Sequence, residues 1–410
     1  MTDSSAEVVI DRLGAQGDGV AETPDGPQFV PFALPGERVR LTGAGMPTLR
    51  SAPSPERREP ICRHFGTCGG CVAQHMRDDF YATWKGGILV DALRQRGLDA
   101  EVAPLRRVPI ASRRRAVLTA RREGRAIVLG YHRRRSRDVF AVEECPVLRP
   151  AIVAGFEALR ALASLLGRRE IRLTVLATSS GLDVAIEGGG ASALGTPTAS
   201  ELARLAAQHG LARVSLDGHV VIERATPVLA MGTAGMSPPP GAFVQAVAEA
   251  ETEMVQLVVA GAGKAKRVAD LFCGVGTFTL PLARHARVLA VDGDRPPLAA
   301  LEAAARHAQG LKPIETKLRD LFRMPLSPKE LEAFDAVVLD PARAGAEAQA
   351  RQLARSRVPT VVYVSCSPGT LARDARILVD GGYAIDSVVP IDQFLYSHHL
   401  ESVTVLRRAA

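Results

Sequence analysis

The chain has 410 residues, of which 47% are hydrophobic and 23% charged, with six cysteines and a formal net charge of +7. This balance excludes a disordered chain, and the length allows two or three packed domains of ~150 residues each. Residues 1–13 are acidic and polar, and no run of about 18 apolar residues occurs, so we expect a cytoplasmic protein without a membrane span. Six cysteines are too few for a disulfide scaffold, which makes ligands or a nucleophile the expected roles for any cysteine that matters.

The first fifty residues predict a small β-barrel. Strand-like runs at 8–10, 28–32 and 38–41 are separated by glycines that suit tight turns. Any small β-barrel would account for these glycines. The sequences GDGVA at 17–21 and FVP at 29–31, followed by LPGE, resemble a TRAM domain, an OB-like module of RNA-modifying enzymes. The resemblance implies an RNA-binding module over residues 1–50.

A Ser-, Pro- and Arg-rich stretch at 51–59 predicts a linker, and a cysteine cluster with a helical pattern follows it. Cys62, Cys68 and Cys71 have the spacing C-x5-C-x2-C, and Cys145 follows after 73 intervening residues. Four thiolates suit either a structural zinc or a [4Fe-4S] cluster, and the spacing leaves both open.

Positive charge is concentrated in residues 101–150, which contain 13 Arg and five acidic residues and carry a local net charge of +8. Compact clusters such as 113–115 and 133–137 repel themselves unless a counter-charge is present. Arg also suits bidentate contacts with phosphate, so the pattern favours a polyanion as partner over a solvated basic face.

The region 103–235 mixes strand and helix patterns and predicts an α+β domain. Its strands are expected at 116–119, 127–131, 173–177, 182–187 and 219–223, and its helices at 151–166 and 199–208. A proline-rich turn at 237–241 marks the next boundary. Beyond it, apolar strands at 267–272, 287–291, 336–339, 360–364 and 384–390 alternate with helical segments, which predicts a parallel, doubly wound sheet. The expected domains are therefore 1–50, 51–240 and 241–410.

Ligands of such sheets collect at the carboxyl ends of the strands. The turn after the first strand contains four candidate cofactor-binding residues, Asp270, Phe272, Gly274 and Gly276. Asp292 ends the second strand, where its carboxylate could accept both hydrogen bonds of a ribose diol, and Asp320 could meet an adenine amino group. The turn lacks the spacing of a dinucleotide fingerprint, so the set favours S-adenosylmethionine over NAD, with a nucleotide-free domain as the alternative.

Two reactive groups are expected at the same edge of the sheet, and a third candidate lies near the C-terminus. Asp340 follows the fourth strand and Cys366 the fifth. A lone cysteine more often fills a core, but one at a strand exit can be exposed and activated. Glu401 precedes the apolar run 403–406, a position more typical of a surface strand end than of a base.

Taken in order, these motifs resemble the RNA 5-methyluridine methyltransferases, the family of the 23S rRNA uracil-5 enzymes and the tRNA uracil-54 enzyme. The similarity extends over nearly the whole chain and includes Gln245, which matches a glutamine that contacts the cofactor in that family. It implies an α/β, Rossmann-like class I S-adenosylmethionine-dependent methyltransferase domain behind a TRAM barrel and a central α+β domain. The implied partner is RNA, with no membrane contact, and a monomer is expected.

The uracil chemistry explains why such residues are needed. Carbon 5 of uracil becomes nucleophilic only after a thiolate, here Cys366, adds to carbon 6. A base, here Glu401, must then take the proton from carbon 5 so that the thiol can leave. Asp340 either positions the uracil edge or assists Cys366, and both roles stay open. The target nucleotide must be single-stranded or flipped out.

Ribosomal members of the family bind an iron-sulfur cluster and the tRNA enzyme lacks one. The resemblance therefore implies a [4Fe-4S] cluster on the four cysteines Cys62, Cys68, Cys71 and Cys145 and favours 23S rRNA as substrate. The alternatives are a tRNA uracil-5 methyltransferase and a non-catalytic iron-sulfur RNA-binding protein; retention of Cys366 and Glu401 argues against the latter. Departures from the family pattern at Val247, Ser367 and 395–397 predict a reshaped pocket.

Overall fold

A computed structural model describes residues 7–40, 48–49, 51–190, 196–232 and 234–408. The N-terminal part forms six short strands: β1 (Glu7–Val9), β2 (Arg12–Leu13), β3 (Gly19–Thr23), β4 (Gly26–Val30), β5 (Arg38–Arg40) and β6 (Thr48–Leu49). They make two three-stranded antiparallel sheets in the orders β1-β5-β6 and β2-β3-β4. The small OB-like module expected from the sequence is confirmed. Leu41, predicted as a strand residue, and residues 1–6 lie outside the described ranges.

Strand β3 occupies the glycine-rich segment that the sequence analysis assigned to turns. A Cβ at Gly19 would lie 2.8 Å from the carbonyl oxygen of Ala33 and 2.8 Å from Ile10 Cγ2. Only a residue without a side chain therefore allows the two backbones to approach so closely. The glycine marks a tightly packed strand here, and its low strand propensity hid that strand from the sequence pattern.

The predicted linker at 51–59 is irregular chain, but it is tied to the barrel. The buried carboxylate of Glu37 accepts hydrogen bonds from Arg57 Nε at 2.6 Å and Nη2 at 2.7 Å, and from the Ser54 amide at 3.2 Å. The linker is followed by helix α1 (Asp78–Arg94), which buries Tyr81, Lys85, Leu89 and Leu93 at four-residue spacing.

The central region is built on a seven-stranded sheet with helices packed on it. Its elements are β8 (Arg115–Glu123), β9 (Ala126–His132), β10 (Val139–Ala141), α2 (Pro150–Ala154), α3 (Phe156–Leu166), β11 (Glu170–Thr178), β12 (Gly181–Glu187), α4 (Thr196–Gln208), β13 (Leu211–Leu216) and β14 (His219–Glu223). The strand order is β10-β9-β8-β11-β12-β13-β14, in which β12 and β13 are parallel and the other pairs antiparallel. The short strand β7 (Arg106–Arg107) precedes this sheet in the chain, and the hairpin of β15 (Leu229–Met231) and β16 (Ala234–Met236) follows it.

Two local features of the central region differ from the prediction. The single helix expected at 151–166 is interrupted at Gly155, where a Cβ would lie 2.5 Å from Leu182 Cδ1. Strand β13 was missed because Arg213 and Ser215 look solvent-exposed in the sequence. The structure buries Arg213 by pairing its guanidinium with Asp183, Nε to Oδ1 at 2.9 Å and Nη2 to Oδ2 at 2.7 Å.

The C-terminal region forms an eight-stranded sheet with helices on both faces. Its elements are α5 (Ala248–Ala262), β17 (Arg267–Leu271), α6 (Thr279–Ala283), β18 (Arg287–Asp292), α7 (Arg295–His307), β19 (Ile314–Leu318), α8 (Pro328–Leu331), β20 (Ala336–Leu339), α9 (Glu347–Ala354), β21 (Thr360–Ser365), α10 (Pro368–Asp380), β22 (Tyr383–Asp392) and β23 (Glu401–Arg408). The order is β19-β18-β17-β20-β21-β23-β22-β7. This is the Rossmann-like arrangement expected from the sequence.

The alternation of strands and helices predicted a parallel sheet, but the observed sheet is parallel only in part. The five strands β17 to β21 are parallel to one another, but β23 runs antiparallel between β21 and β22. The reason is the short connection between β22 and β23, which cannot carry a crossover helix and so returns the chain antiparallel. Strand β7 pairs with β22 at the edge, and Leu89 and Leu93 of α1 join the apolar core under this sheet.

In the described ranges, the helices are all too short or too polar to span a lipid bilayer.

Candidate active site

The carboxyl ends of the parallel strands open into one cavity of about 980 Å³, which we call the main cavity. Its walls include eight of the residues singled out from the sequence: Gln245, Phe272, Gly274, Asp292, Asp320, Asp340, Cys366 and Glu401. The structure therefore brings together the glycine turn, the strand-end carboxylates and both reactive groups, although they are far apart in the sequence.

Asp270 and Gly276, which the sequence analysis named as candidate cofactor-binding residues, do not line the main cavity. Asp270 is fully buried and its carboxylate accepts a hydrogen bond from the Thr279 hydroxyl at the start of α6. Burial raises its pKa to about 7. Gly276 has a φ of +91°, and a Cβ there would lie 2.4 Å from Leu301 Cδ1. Both residues therefore shape the turn after β17 without facing the main cavity.

Asp292 fixes the turn that borders the main cavity. One of its carboxylate oxygens accepts the Gly274 amide at 2.8 Å and the other accepts the Asp294 amide at 2.9 Å. Gly274 has a φ of +54° and Phe272 a φ of +62°, so two residues of this turn adopt left-handed backbone. For Phe272 this conformation is strained, which is typical of positions held by a ligand site.

Aromatic rings that the sequence analysis did not single out flank the cavity mouth. Phe322 is 52% exposed, and its ring centroid lies 5.2 Å from that of Phe272. Phe243, on another wall, is 64% exposed, with the Arg115 guanidinium 5.7 Å from its ring. Exposed rings at a cavity mouth suit stacking of a flat heterocycle. The signal available in the sequence was only their position beside Asp320 and Gln245.

Sheet register places Glu401 beside Cys366. Strand β23 pairs antiparallel with β21, with Ser402 opposite Ser365, so the start of one strand meets the end of the other. Cys366 is half-buried at this junction and faces the main cavity. Burial, and then the nearby carboxylates of Glu401 and Asp340, raise the pKa of its thiol to about 11. The resting thiol is therefore protonated.

Arg343 supplies positive charge to this junction. Its charge acts to lower the pKa values of Cys366 and Glu401 against the larger effect of burial. Arg343 Nη2 lies 3.2 Å from His399 Nε2. Burial, followed by the neighbouring charges of His398 and Arg343, lowers the pKa of His399 to about 4, so its ring is neutral near pH 7.

Glu401 is buried and held by Gln393, a residue that the sequence analysis missed. Gln393 Nε2 donates to Glu401 Oε1 at 3.0 Å and to Gln245 Oε1 at 2.8 Å, while its Oε1 accepts the Ala246 amide at 3.1 Å. Burial raises the pKa of Glu401 to about 7, despite the opposing hydrogen bond from Gln393. The one available signal was a polar residue directly after the long strand β22.

Asp340 also lines the cavity. Burial, together with the negative charges of Glu401, Asp270 and Asp292, raises its pKa well above the ordinary carboxyl value. A carboxyl with a raised pKa can donate a hydrogen bond to a carbonyl oxygen as well as accept one. The geometry therefore leaves both roles considered for Asp340 chemically available.

The start of the loop between Gln393 and Glu401 is held in place by buried polar side chains of α1. Lys85 pairs with Asp392 and donates to the Phe394 carbonyl at 2.8 Å. The Tyr81 hydroxyl donates to Asp392 Oδ2 at 2.6 Å and accepts the Tyr396 amide at 2.8 Å. The network thus fixes the chain on both sides of Gln393.

Replacing Tyr81 by Phe is expected to lower the free energy of unfolding by about 1–3 kcal/mol, because it leaves buried partners without their hydrogen bonds. Urea denaturation of both proteins, followed by circular dichroism, measures the difference. Substitution of the exposed Arg351, whose pair with Glu347 lies at the surface, serves as a control and should cost at most about 1 kcal/mol. Equal stability of wild type and Tyr81→Phe would contradict the role given to this hydroxyl.

The four N-terminal and central cysteines meet around a second, small cavity. Cys62, Cys68, Cys71 and Cys145 line a space of about 60 Å³ together with Phe65, Tyr131 and Val147. Burial raises the pKa of each thiol, for Cys71 to about 12. Within the described part of the chain, no three His, Cys, Asp or Glu side chains converge closely enough to hold a single metal ion.

The arginine clusters find part of the counter-charge that the sequence analysis expected within the chain itself. Arg134 and Arg135 both pair with the buried carboxylate of Asp18 in the N-terminal barrel. Arg114 is buried and donates from Nη2 to Glu251 at 2.7 Å. These arginines join parts of the chain, because burial of Asp18 and Glu251 would be unfavourable without a cationic partner.

Comparison with known proteins gives a consistent family. The sequence profile described as tRNA (Uracil-5-)-methyltransferase matches residues 236–409. An uncharacterised RNA methyltransferase of Rhizobium meliloti is 49% identical over 418 residues, covering 99% of this chain and 100% of that protein. The 23S rRNA (uracil(1939)-C(5))-methyltransferase RlmD of Chromohalobacter salexigens is 34% identical over 435 residues, covering 97% and 88%.

A solved structure shares the fold over the whole length. The crystal structure of Pyrococcus abyssi tRNA (uracil-54, C5)-methyltransferase in complex with S-adenosyl-L-homocysteine has a TM-score of 0.74, covering 98% of this chain and 99% of that chain. The two sequences are 21% identical, so this likeness bears on the fold alone.

Proposed function

The chain belongs to the family of S-adenosylmethionine-dependent RNA (uracil-5-)methyltransferases, and from this premise we propose that it methylates carbon 5 of a uridine in 23S rRNA through a covalent bond to Cys366. The observation that carries the proposal is the shared cavity: Cys366, Glu401 and the Gly274 turn line one space. The three-part division into an RNA-binding barrel over residues 1–50, a basic region over 51–240 and a methyltransferase region over 241–410 belongs to the same proposal.

The main cavity is the proposed site for S-adenosylmethionine. When bound, this cofactor supplies an electrophilic methyl group on a sulfonium. Gln245, Phe272, Gly274, Asp292 and Asp320 are the residues proposed to hold it, because backbone and carboxylates at the ends of β17 and β18 suit a ribose and an adenine. Asp270 and Gly276 are proposed to act indirectly, by shaping the turn. Phe322 joins the set as a ring for the adenine face.

The proposed reaction begins at Cys366. Its thiol proton passes to solvent and its sulfur forms a bond to carbon 6 of uracil, while the electron pair of the carbon 5–carbon 6 double bond shifts towards carbon 5 and the neighbouring carbonyl, which makes carbon 5 nucleophilic. After carbon 5 has been methylated, Glu401 takes the proton from that carbon and the sulfur leaves as thiolate, which regains a proton. Arg343 supports the thiolate by its charge. Asp340, with its raised pKa, is placed to orient the uracil edge or to assist Cys366.

The ionisation of Glu401 predicts a pH dependence. A pKa of about 7 means that the carboxylate, which accepts the proton, is lost as the pH falls below that value. Release of methylated RNA from the covalent adduct, the step that needs this carboxylate, is therefore expected to become faster with rising pH and level off above about pH 7, measured as free methylated RNA at saturating RNA and cofactor. A rate that stays constant from about pH 5.5 to 8 would contradict this assignment.

Four thiols around one small apolar cavity fit a [4Fe-4S] cluster, which we propose for Cys62, Cys68, Cys71 and Cys145. Four thiolates would also suit a zinc ion, and the choice of iron rests on the resemblance to the rRNA-modifying members of the family. The cluster would fix the arginine-rich hairpin to the cysteine segment, where Gly69 donates to the His132 carbonyl at 3.0 Å. When bound it supplies structural cross-linking.

Anaerobically purified protein is expected to be brown and to contain about four irons per chain. The Cys145→Ser variant should lose iron, whereas Cys273→Ser, which alters a buried cysteine outside the small cavity lined by the four cysteines, should retain it. Elemental analysis by mass spectrometry measures both. One zinc per chain in the wild-type protein, with no iron, would refute the cluster.

Ribosomal RNA is proposed over tRNA because the barrel and the four cysteines occur in one chain, and because the rRNA-modifying relative is similar over nearly its full length. Mapping of 5-methyluridine in RNA from cells lacking this gene tests the choice. A mark lost from 23S rRNA is the expected result. A mark lost from tRNA, with rRNA unchanged, would favour the tRNA alternative.

A further inference from the structure

A second large cavity lies on another side of Cys366. It has a volume of about 650 Å³ and shares Arg343, Cys366 and His399 with the main cavity, but not the glycine turn or the strand-end carboxylates. Its walls are one face of α1, the barrel segment 12–16 and the start of α10. We call it the α1 cleft. Cys366 therefore stands where two cavities of different composition meet.

The α1 wall of this cleft contains one position without a side chain, Gly87, between Trp84 and Ile88. Gly86 and Gly87 are consecutive residues in the middle of a 17-residue helix, a position where glycine is less favourable than alanine. A Cβ added at either would find no atom within 4 Å, so packing within the described chain does not require these glycines. Neither has a positive φ. Of the two, Gly87 lines the α1 cleft and Gly86 does not.

Other parts of the wall are equally open or suit a flat ring. A Cβ at Gly369, at the start of α10, would also find no atom within 4 Å. Trp84 of α1 lines the same cleft, and its indole Nε1 donates to the Gly14 carbonyl at 3.0 Å, which fixes the ring between helix and barrel. Arg343 and Arg12, which pairs with Glu22 at 2.9 Å, bring positive charge to the cleft, and Asp91 of α1 brings one carboxylate.

This composition suits single-stranded nucleic acid. Its bases stack on aromatic and apolar surface, and its backbone runs along open surface near cationic side chains. A double helix presents its bases inward and would not use a ring fixed within a cleft. A uridine that reaches Cys366 stays attached to its neighbouring nucleotides, so those nucleotides must lie against a wall beside Cys366. Because the main cavity is the proposed cofactor site, the α1 cleft is the wall that is left for them.

We propose that the α1 cleft binds the unpaired RNA segment directly next to the target uridine, and that the absence of a side chain at Gly87 leaves room for this RNA. The proposal rests on the proposed function and deepens it, because it states that the substrate must be single-stranded at the target and beside it. It also assigns the barrel segment 12–16 a place next to the substrate.

Paired substitutions on α1 test the proposal. The Gly87→Gln variant is expected to raise the KM for an RNA substrate at least tenfold, with unchanged affinity for S-adenosylhomocysteine and a melting temperature equal to or above that of wild type. Gly86→Gln makes the same chemical change one residue away, outside the cleft, and is expected to keep the wild-type KM. Equal KM values for the two variants would overturn the proposal.

A crosslinking measurement on the wild-type chain does not depend on how any variant folds. RNA carrying 4-thiouridine one or two nucleotides from a 5-fluorouridine target is trapped on the protein and irradiated. Crosslinks within residues 78–94, 12–16 or 367–369 are expected, and crosslinks confined to segments outside these three would overturn the cleft. If wild type fails to trap 5-fluorouridine RNA at all, the proposed function fails; if it traps and the crosslinks lie elsewhere, only the cleft does.

Discussion

Replacement of Cys366 by Ala is expected to abolish methylation of RNA, lowering turnover by roughly 10⁴-fold or more. The variant lacks the atom that adds to carbon 6, and the other cysteine that lines the main cavity, Cys273, is a poor substitute because burial raises the pKa of its thiol well above the ordinary value. Methyl transfer from labelled S-adenosylmethionine to an RNA fragment measures the loss. Trapping of 5-fluorouridine RNA should disappear in parallel.

Folding and cofactor binding provide the controls for this variant. Cys366 is half-buried and Ala is smaller, so the melting temperature and the affinity for S-adenosylhomocysteine should stay close to wild type. Substantial methylation by Cys366→Ala, with the cofactor still bound, would show that carbon 5 is activated without this thiol. The covalent mechanism would then be wrong even though the family assignment would stand.

Replacement of Glu401 by Gln is expected to lower turnover by about 10²–10⁴-fold and to leave the RNA attached to the protein. Gln cannot accept the carbon-5 proton, but it retains a side-chain oxygen for the hydrogen bond from Gln393. The steps before proton removal therefore proceed, and the methylated adduct accumulates on ordinary uridine RNA. Denaturing gel electrophoresis of protein with labelled RNA detects the band.

The Glu401 result separates a base from a merely structural carboxylate. A structural role predicts lower stability and less adduct, because a poorly formed site would not reach the covalent stage. Adduct on ordinary uridine that exceeds the wild-type amount supports proton removal by Glu401. Slow turnover with no adduct above wild type would assign the proton removal to another group.

The sequence predicted the site well where chemistry follows directly from strand ends. Gly274, Asp292, Asp340 and Cys366 each end or follow a strand of one sheet, and the carboxyl ends of parallel strands must meet at one edge. Glu401 needed the resemblance, because its place depends on an antiparallel strand inserted beside β21. A local pattern carries no information on that insertion.

Residues that act through tertiary contacts were beyond the sequence patterns. Gln393 matters only because the fold places it between Glu401 and Gln245, and Lys85 only because Asp392 meets it in the core. Likewise, the charge run at 133–137 indicated a polyanion, whereas two of its arginines pair with Asp18 of the barrel. Charge counts along the chain do not show which charges the fold neutralises.

The most direct test of the account is mass spectrometry of the wild-type protein trapped on RNA with 5-fluorouridine at the target position. The account predicts a proteolytic peptide that contains Cys366 and is joined to the fluorinated nucleotide, with the methyl group already transferred. A nucleotide joined to any other residue, or a trapped base without the methyl group in the presence of S-adenosylmethionine, would contradict it.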